Sequence, residues 1–143
     1  MSIPIKNIFM TELNFVRSPN VPDKINYTYT INVGANVDKE TNISNVMVKL
    51  EILEKEQNSL KLICCMIGVF DLTNAKEMPI SIDDFLYVNA PAIIFPYLRE
   101  LVSNTTLRAG IKPLIIPTFN FKEMREKNQR KELKESELGN LEK

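Results

Sequence analysis

Few side chains in this 143-residue chain could perform covalent or acid–base chemistry. Asp83 and Asp84 are the only adjacent acids, with Tyr87 close by, and together they could serve a small enzyme or ligand carrier that works with carboxylates. Ser81 lies three residues before Asp84, however, in the order of a weak capping box. The pair therefore reads better as a helix start. The only cysteines, Cys64 and Cys65, are neighbours; a bridge between them would be strained, and they read as reduced thiols filling a strand. Without a histidine there is no Ser-His-Asp triad and no imidazole proton shuttle. Two cysteines and no histidine make an ordinary zinc site a poor fit. The four glycines, at 34, 68, 110 and 139, form neither a phosphate loop nor a dinucleotide fingerprint. The expectation is a protein that is not an enzyme and needs no cofactor.

Composition points the same way. Apolar residues make up 44%, enough for one domain with a real core. Eighteen Lys and Arg balance eighteen Asp and Glu, which leaves no electrostatic case for nucleic acid or an anionic membrane. Met1 to Lys6 lacks the layout of a secretory signal, and no apolar run approaches the ~20 residues of a bilayer span. The chain is expected in the cytoplasm.

The elements that would position these groups follow from periodicity. Four segments alternate like strands. In the first, Phe9, Thr11, Leu13 and Phe15 oppose Ile8, Met10, Glu12 and Asn14. Tyr27, Tyr29, Ile31, Val33 and Ala35 share a face of the second. In the third, Val46, Val48, Leu50 and Ile52 oppose Met47, Lys49, Glu51 and Leu53. Such patterning with polar connections predicts an antiparallel meander buried on one side. The fourth segment, Leu60 to Phe70, is apolar on both faces from Leu62 onward and needs two covers. A helix of the same chain is one. The second is assigned to another subunit or partner, the alternative being the C-terminal segment folded back.

Asp71 to Asn89 is a connector carrying Leu72, Met78, Ile80, Phe85 and Tyr87. A helix is predicted from about Ile93 to Arg108, with Ile94, Leu98, Leu101, Val102 and Thr105 on one face. Pro91 suits its first turn, Pro96 demands an irregular start, and Gly110 suits a left-handed cap. Lys112 to Phe121 is extended, and its prolines keep it out of a central strand. Lys122 to Leu138 reads as a charged, solvated helix with favourable Glu123–Lys127 and Glu126–Arg130 spacings.

Ile94-Phe95-Pro96-Tyr97-x-Arg99-Glu100, then Arg108-x-Gly110-x-x-Pro113-Leu114-x-Ile116, then Asn120-Phe121 resemble the SecB family of bacterial export chaperones. Leu13-Asn14-Phe15 and Pro19-Asn20-x-Pro22 add a weaker likeness to that family's opening. The resemblance implies an α+β fold: a four-stranded antiparallel sheet, helices packed on one face, and a C-terminal charged helix. It divides the chain into a chaperone domain (1–121) and a charged helical tail (122–143). It implies a dimer of dimers that holds unfolded preproteins without ATP and passes them to the motor SecA. A chaperone dedicated to one client, such as an antitoxin, is the alternative. On this reading Phe70, Leu72, Ile80, Phe85, Tyr87, Phe119 and Phe121, with the adaptable Met66 and Met78, line a client groove. Glu12 occupies an acidic position toward SecA, although Val16 and Arg17 follow where a second acid is expected. Leu62, Cys64, Leu98 and Leu101 are assigned to the oligomer interface.

Overall fold

The computed structural model describes residues 3–141, with side chains as far as residue 131. Four long strands, β1 (Ile5–Arg17), β2 (Tyr27–Asp38), β3 (Ile43–Glu54) and β4 (Leu60–Asp71), precede the helices. The sheet is antiparallel throughout, as expected, but its order is β1-β4-β3-β2. Only β2, β3 and β4 form a meander. β1 crosses over to pair with β4, which corrects the simple meander. The reason lies in β4: a strand greasy on both faces is most stable in the sheet interior, where neighbours shelter it on each side.

A bulge in β1 between Met10 and Glu12 changes which residues share a face. Opposed residues of an antiparallel pair lie on the same side. Ile8 opposes Gly68, Met10 opposes Met66, Leu13 opposes Cys64 and Phe15 opposes Leu62. Phe9 therefore points away from Leu13 and Phe15, contrary to strict alternation, because the extra residue shifts the phase by one. The Thr11 hydroxyl at the bulge donates to the Cys65 carbonyl across 3.4 Å.

The connector is more ordered than expected. After a short 3-10 turn (Ala75–Glu77), Ser81 Oγ accepts from the Asp84 amide at 3.0 Å and starts a helical run. That run comprises one turn of α1 (Ile82–Asp84), a π turn (Phe85–Asn89) and α2 (Ala90–Arg108). The helix thus begins ahead of Ile93 and passes through Pro96. Pro96 and Ala92, whose carbonyl loses its partner, are both exposed, so water can serve that carbonyl. The π turn supplies the irregular lead-in. At the far end Gly110 has φ 76°. Its amide reaches Leu107, and that of Ile111 reaches Thr106, the paired closure of a Schellman motif.

The core lies between α2 and one face of the sheet. Val46, Val48, Leu50, Ile52, Leu62, Cys64 and Phe70 pack beneath Ile94, Leu98 and Val102. Gly68 admits the helix: a Cβ there would fall 2.9 Å from Ile94 Cδ1. The extended arm lies along α2, with Leu114 and Ile116 buried. Arg99 Nε donates to the Ile116 carbonyl at 2.7 Å, and Thr106 Oγ1 accepts from the Leu114 amide at 3.0 Å. α3 (Phe121–Leu141) follows, capped by the Asn120 carboxamide. No described helix is long and apolar enough to cross a membrane.

Three interface assignments change with this picture. Leu62, Cys64 and Leu98 are fully buried inside the protomer, so they have no surface left for a second subunit. β4 is two-faced as predicted, but the other face looks outward. It carries the half-buried Ile63, Ile67 and Val69 and the buried Cys65. Leu101 alone of the four assigned residues is partly open.

Candidate binding clefts beside the central helix

One helix cannot roof this sheet. Its edge strands are roughly 14 Å apart, three spacings of about 4.8 Å, whereas a helix with side chains is about 10 Å across. α2 sits over β3 and β4. The inward-facing residues of β1 and β2 are left at two flanks.

The β2 flank is aromatic. Only Ile31 of its inward row is buried; Tyr27 and Val33 are half-covered and Tyr29 is exposed. The rings run on from strand to arm: Tyr29 meets Phe119 edge-on at 6.5 Å, and Phe119 meets Phe121 at 5.1 Å. Phe95 of α2 backs both, at 6.4 and 5.6 Å. Offset and edge-on contacts are the favoured ones between aromatic rings. Burial, then the Tyr29 phenol, raises the Tyr27 pKa above its ordinary value.

Between this ladder, the π turn and the start of α3 lies an open cleft of about 340 Å³. Val33, Tyr87, Phe121, Met124, Arg125, Asn128 and Gln129 line it. On the far side of the arm, a second recess of about 370 Å³ is lined by Val88, Ala92, Phe119 and Phe121. Val33, Phe121 and Met124 in the cleft and the apolar second recess offer contact with little directional demand, while Arg125, Asn128 and Gln129 make the α3 side of the cleft polar.

The expected groove residues divide between this surface and the core. Tyr87 lines the cleft and Phe119 the recess beyond the arm, and both are half-buried. Phe121 contributes one face from a largely buried position. Ile80 and Met78 are half-buried on the connector. Phe70, Leu72, Phe85 and Met66 are core residues and cannot touch a client while the fold is intact. The Phe70 ring stands edge-on to Phe85 at 5.3 Å, and both fill the space beneath the π turn. Sequence reasoning missed Tyr29, Phe95 and Arg125. The alternation of β2 had already put Tyr27 and Tyr29 on one face. Nothing in the sequence said that this face lies beyond the reach of α2.

The β1 flank is aliphatic and bare. Ile5, Met10 and Leu13 are 48%, 49% and 40% exposed. An open groove of about 580 Å³ runs between this strand and α2, lined by Leu13, Phe15, Arg17, Leu101, Thr105 and Arg108 among others. Arg17 closes one end, donating to the Ala109 carbonyl at the C-terminus of α2, where a cation complements the helix dipole.

The outer face of the sheet differs from both flanks. Glu12 lies opposite Cys65, and its carboxylate is 3.5 Å from Lys49 Nζ. Phe9, Met47, Ile67 and Val69 surround a surface of mixed charge. Asp83 and Asp84 are both exposed, and neither is set in an enclosed pocket. Among the described residues no cluster of acids and thiols could hold a metal ion.

The sequence model described as preprotein translocase subunit SecB matches residues 1–132. The protein-export protein SecB of Ehrlichia ruminantium is 28% identical over 158 aligned positions, spanning 91% of this chain and 90% of its own. That of Anaplasma phagocytophilum is 28% identical and spans 79% of this chain and 78% of its own. Among solved structures, a Mycobacterium tuberculosis SecB-like chaperone, in complex with a peptide from the HigA1 antitoxin, superposes with a TM-score of 0.68. It shares 18% identity and covers 82% of this chain and 88% of that one.

Proposed function

Since this chain belongs to the SecB family of protein-export chaperones, we propose that it holds unfolded polypeptides, without ATP or catalysis, on the aromatic cleft of the β2 flank. The observation that carries the assignment of the site is the ring ladder from Tyr29 through Phe119 to Phe121, which α2 touches only through Phe95 and leaves part-open at Tyr29 and Phe119. Each client segment gains roughly 25 cal/mol per Å² of apolar surface buried there. One cleft holds a client weakly; several clefts on one oligomer hold it firmly, because the second contact is intramolecular.

Oligomerisation is assigned to the β1 flank. A long strand with an unpaired edge and an exposed aliphatic row beside it is an association surface unless something covers it. A second copy of the same flank would pair the edges and fill the groove against Leu101. A dimer of dimers in the cytoplasm follows from family membership and is offered on that ground.

A chaperone dedicated to one client is equally compatible with this fold, and handover to SecA is proposed on family membership; Glu12, the residue expected toward SecA, is paired with Lys49.

The site is tested by dilution of a denatured client into buffer with and without the protein, followed by light scattering and no nucleotide. Near-stoichiometric protein is expected to hold scattering down, and Tyr29→Asp with Phe119→Asp to lose most of that protection while remaining folded. Full protection by the double variant would remove the cleft from the mechanism. No protection by the unaltered chain would remove the holdase reading itself.

A further inference from the structure

We propose that Arg99 of α2 is a positioning residue for the client site: it fixes the register of the arm and so holds Phe119 in the aromatic ladder. The proposal rests on the reading of the aromatic flank as the client site. The arm has little else to fix it. Residues 112–120 form neither helix nor strand. Among the described residues, none of them shares a backbone–backbone hydrogen bond until Asn120 accepts from Met124. Pro113 and Pro117 bring no amide at all. Two side chains of α2 supply what a neighbouring strand would. Thr106 Oγ1 accepts from the Leu114 amide at 3.0 Å, and Arg99 Nε donates to the Ile116 carbonyl at 2.7 Å.

Both residues belong to one stripe of the helix. Phe95, Arg99 and Thr106 are spaced by four and then seven residues, which keeps them on a single face. The arm runs against this stripe in the opposite direction. Phe121 and Phe119 meet Phe95 at 5.6 and 6.4 Å, Ile116 meets Arg99, and Leu114 meets Thr106. The spans match. The helix rises about 10 Å from Arg99 to Thr106, and an extended chain covers about 10 Å from the Leu114 amide to the Ile116 carbonyl. A slip of one residue turns over every side chain of an extended chain. It would expel the buried Leu114 and Ile116 and drive inward Ile115, which is 72% exposed. In one direction it would also bring Pro113, which has no amide, to Thr106.

Of the two ties, that of Arg99 lies beside the site. Only Pro117 and Thr118, both exposed, separate Ile116 from Phe119. While the Ile116 carbonyl is held, this short stretch keeps the Phe119 ring edge-on to Tyr29 at 6.5 Å. Without Arg99 the buried Ile116 side chain holds the arm by packing alone, which is not directional. The nearest hydrogen bond is then back at Leu114, and Phe119 loses its fixed seat. Arginine suits the task, because a bond from a permanent cation to a carbonyl is stronger than a neutral one. Arg99 lines neither the cleft nor the recess, so it acts on a client through the arm.

The test uses the full-length protein with Arg99→Met, Arg99→Lys, Phe119→Ala and the double variant Arg99→Met with Phe119→Ala. Binding of a labelled unfolded peptide reads the site; the NMR resonances of the Tyr29 ring read the seat of Phe119. Arg99→Met keeps the stem and loses the donor. It is expected to weaken peptide binding by about threefold to tenfold, the factor that one net hydrogen bond carries. It should also move the Tyr29 resonances toward those of Phe119→Ala. Arg99→Lys keeps a donor and should recover part of both. The double variant should bind no more weakly than Phe119→Ala alone, because Arg99 acts through that ring. Unchanged binding in Arg99→Met overturns the proposal. A full further loss in the Phe119→Ala background also overturns it and makes Arg99 a support of the fold at large. Resonances that shift as expected, when even the unaltered chain binds no peptide, uphold the register and defeat the client reading instead. If Arg99→Met does not fold, Arg99→Lys in the same two backgrounds decides in its place.

Discussion

Glu54 is the one fully buried acid among the described residues, and its role is local. It ends β3 and organises the turn to β4. Its carboxylate accepts from the amides of Glu56, Gln57 and Ser59 at 2.8 to 3.0 Å and from the Ser59 hydroxyl at 2.9 Å. Those bonds, the Ser59 amide foremost, overcome burial and pull its pKa from an ordinary 4.5 to about 2. A carboxylate lowered on folding stabilises the fold fully above its unfolded value, and that stability fades as pH falls between about 4.5 and about 2. Glu54→Gln should therefore be less stable at neutral pH and lose part of its dependence on pH across that window, as read by urea midpoints at a series of pH values. If the midpoints of the two proteins fall in parallel, other carboxylates control acid unfolding. The cysteines make a second residue-scale case. Burial first, then Cys65 and Glu12, pushes the Cys64 thiol up to about 12. Both thiols should resist a maleimide in the native protein at neutral pH and react once urea unfolds it; prompt native labelling would show that the sheet opens at β4.

At the scale of elements, the contact between α2 and the sheet depends on one missing side chain. A Cβ on Gly68 would lie 2.8 Å from Phe70 Cε2 and 2.9 Å from Ile94 Cδ1. Gly68→Ala should cost about 1–3 kcal/mol through overpacking, measured by urea denaturation. A neutral result would mean that α2 can ride higher at no cost. The end of the same helix depends on Gly110, whose positive φ an alanine adopts at a penalty of about 1–2 kcal/mol. Gly110→Ala should unfold at correspondingly lower urea. It should also loosen the arm, because the Schellman turn aims the arm back along α2, where it brings Phe119 beside Tyr29.

For the whole molecule, the mismatch between one helix and four strands produces two flanks of different character. The β2 flank is aromatic and bordered by the chain's own arm and α3. The β1 flank is aliphatic, exposed and bordered by an unpaired edge. Charges placed on the second should separate subunits without touching the first. Met10→Glu with Leu13→Glu is expected to reduce the mass in light scattering to that of a single chain and to weaken client holding through lost multivalency, while leaving the binding of one short peptide nearly unchanged. A variant that keeps its full assembly would place the subunit contact elsewhere, with the outer face of Phe9, Met47 and Ile67 as the next surface to alter.

The sequence determined the pieces of this protein, and tertiary structure decided what they face. Alternation marked the first three strands, the run from Leu62 marked β4 as apolar on both faces, and Ser81 and Gly110 marked the ends of the helical run. These signals were legible because caps and side-chain periodicity act over three to five residues. The Phe-Pro-Tyr to Asn-Phe motif carried the family, and with it the fold and the chaperone role. Alternation, however, says which residues share a side and not which side is inside. Leu62 and Cys64 went to the core and Ile63 and Ile67 outward only because β1 crossed to β4 and α2 settled on the opposite face. Likewise Phe70 and Tyr29 are both aromatic residues on strands. One is buried and the other open because of where the width of a single helix falls on the sheet, a distance that no local pattern encodes.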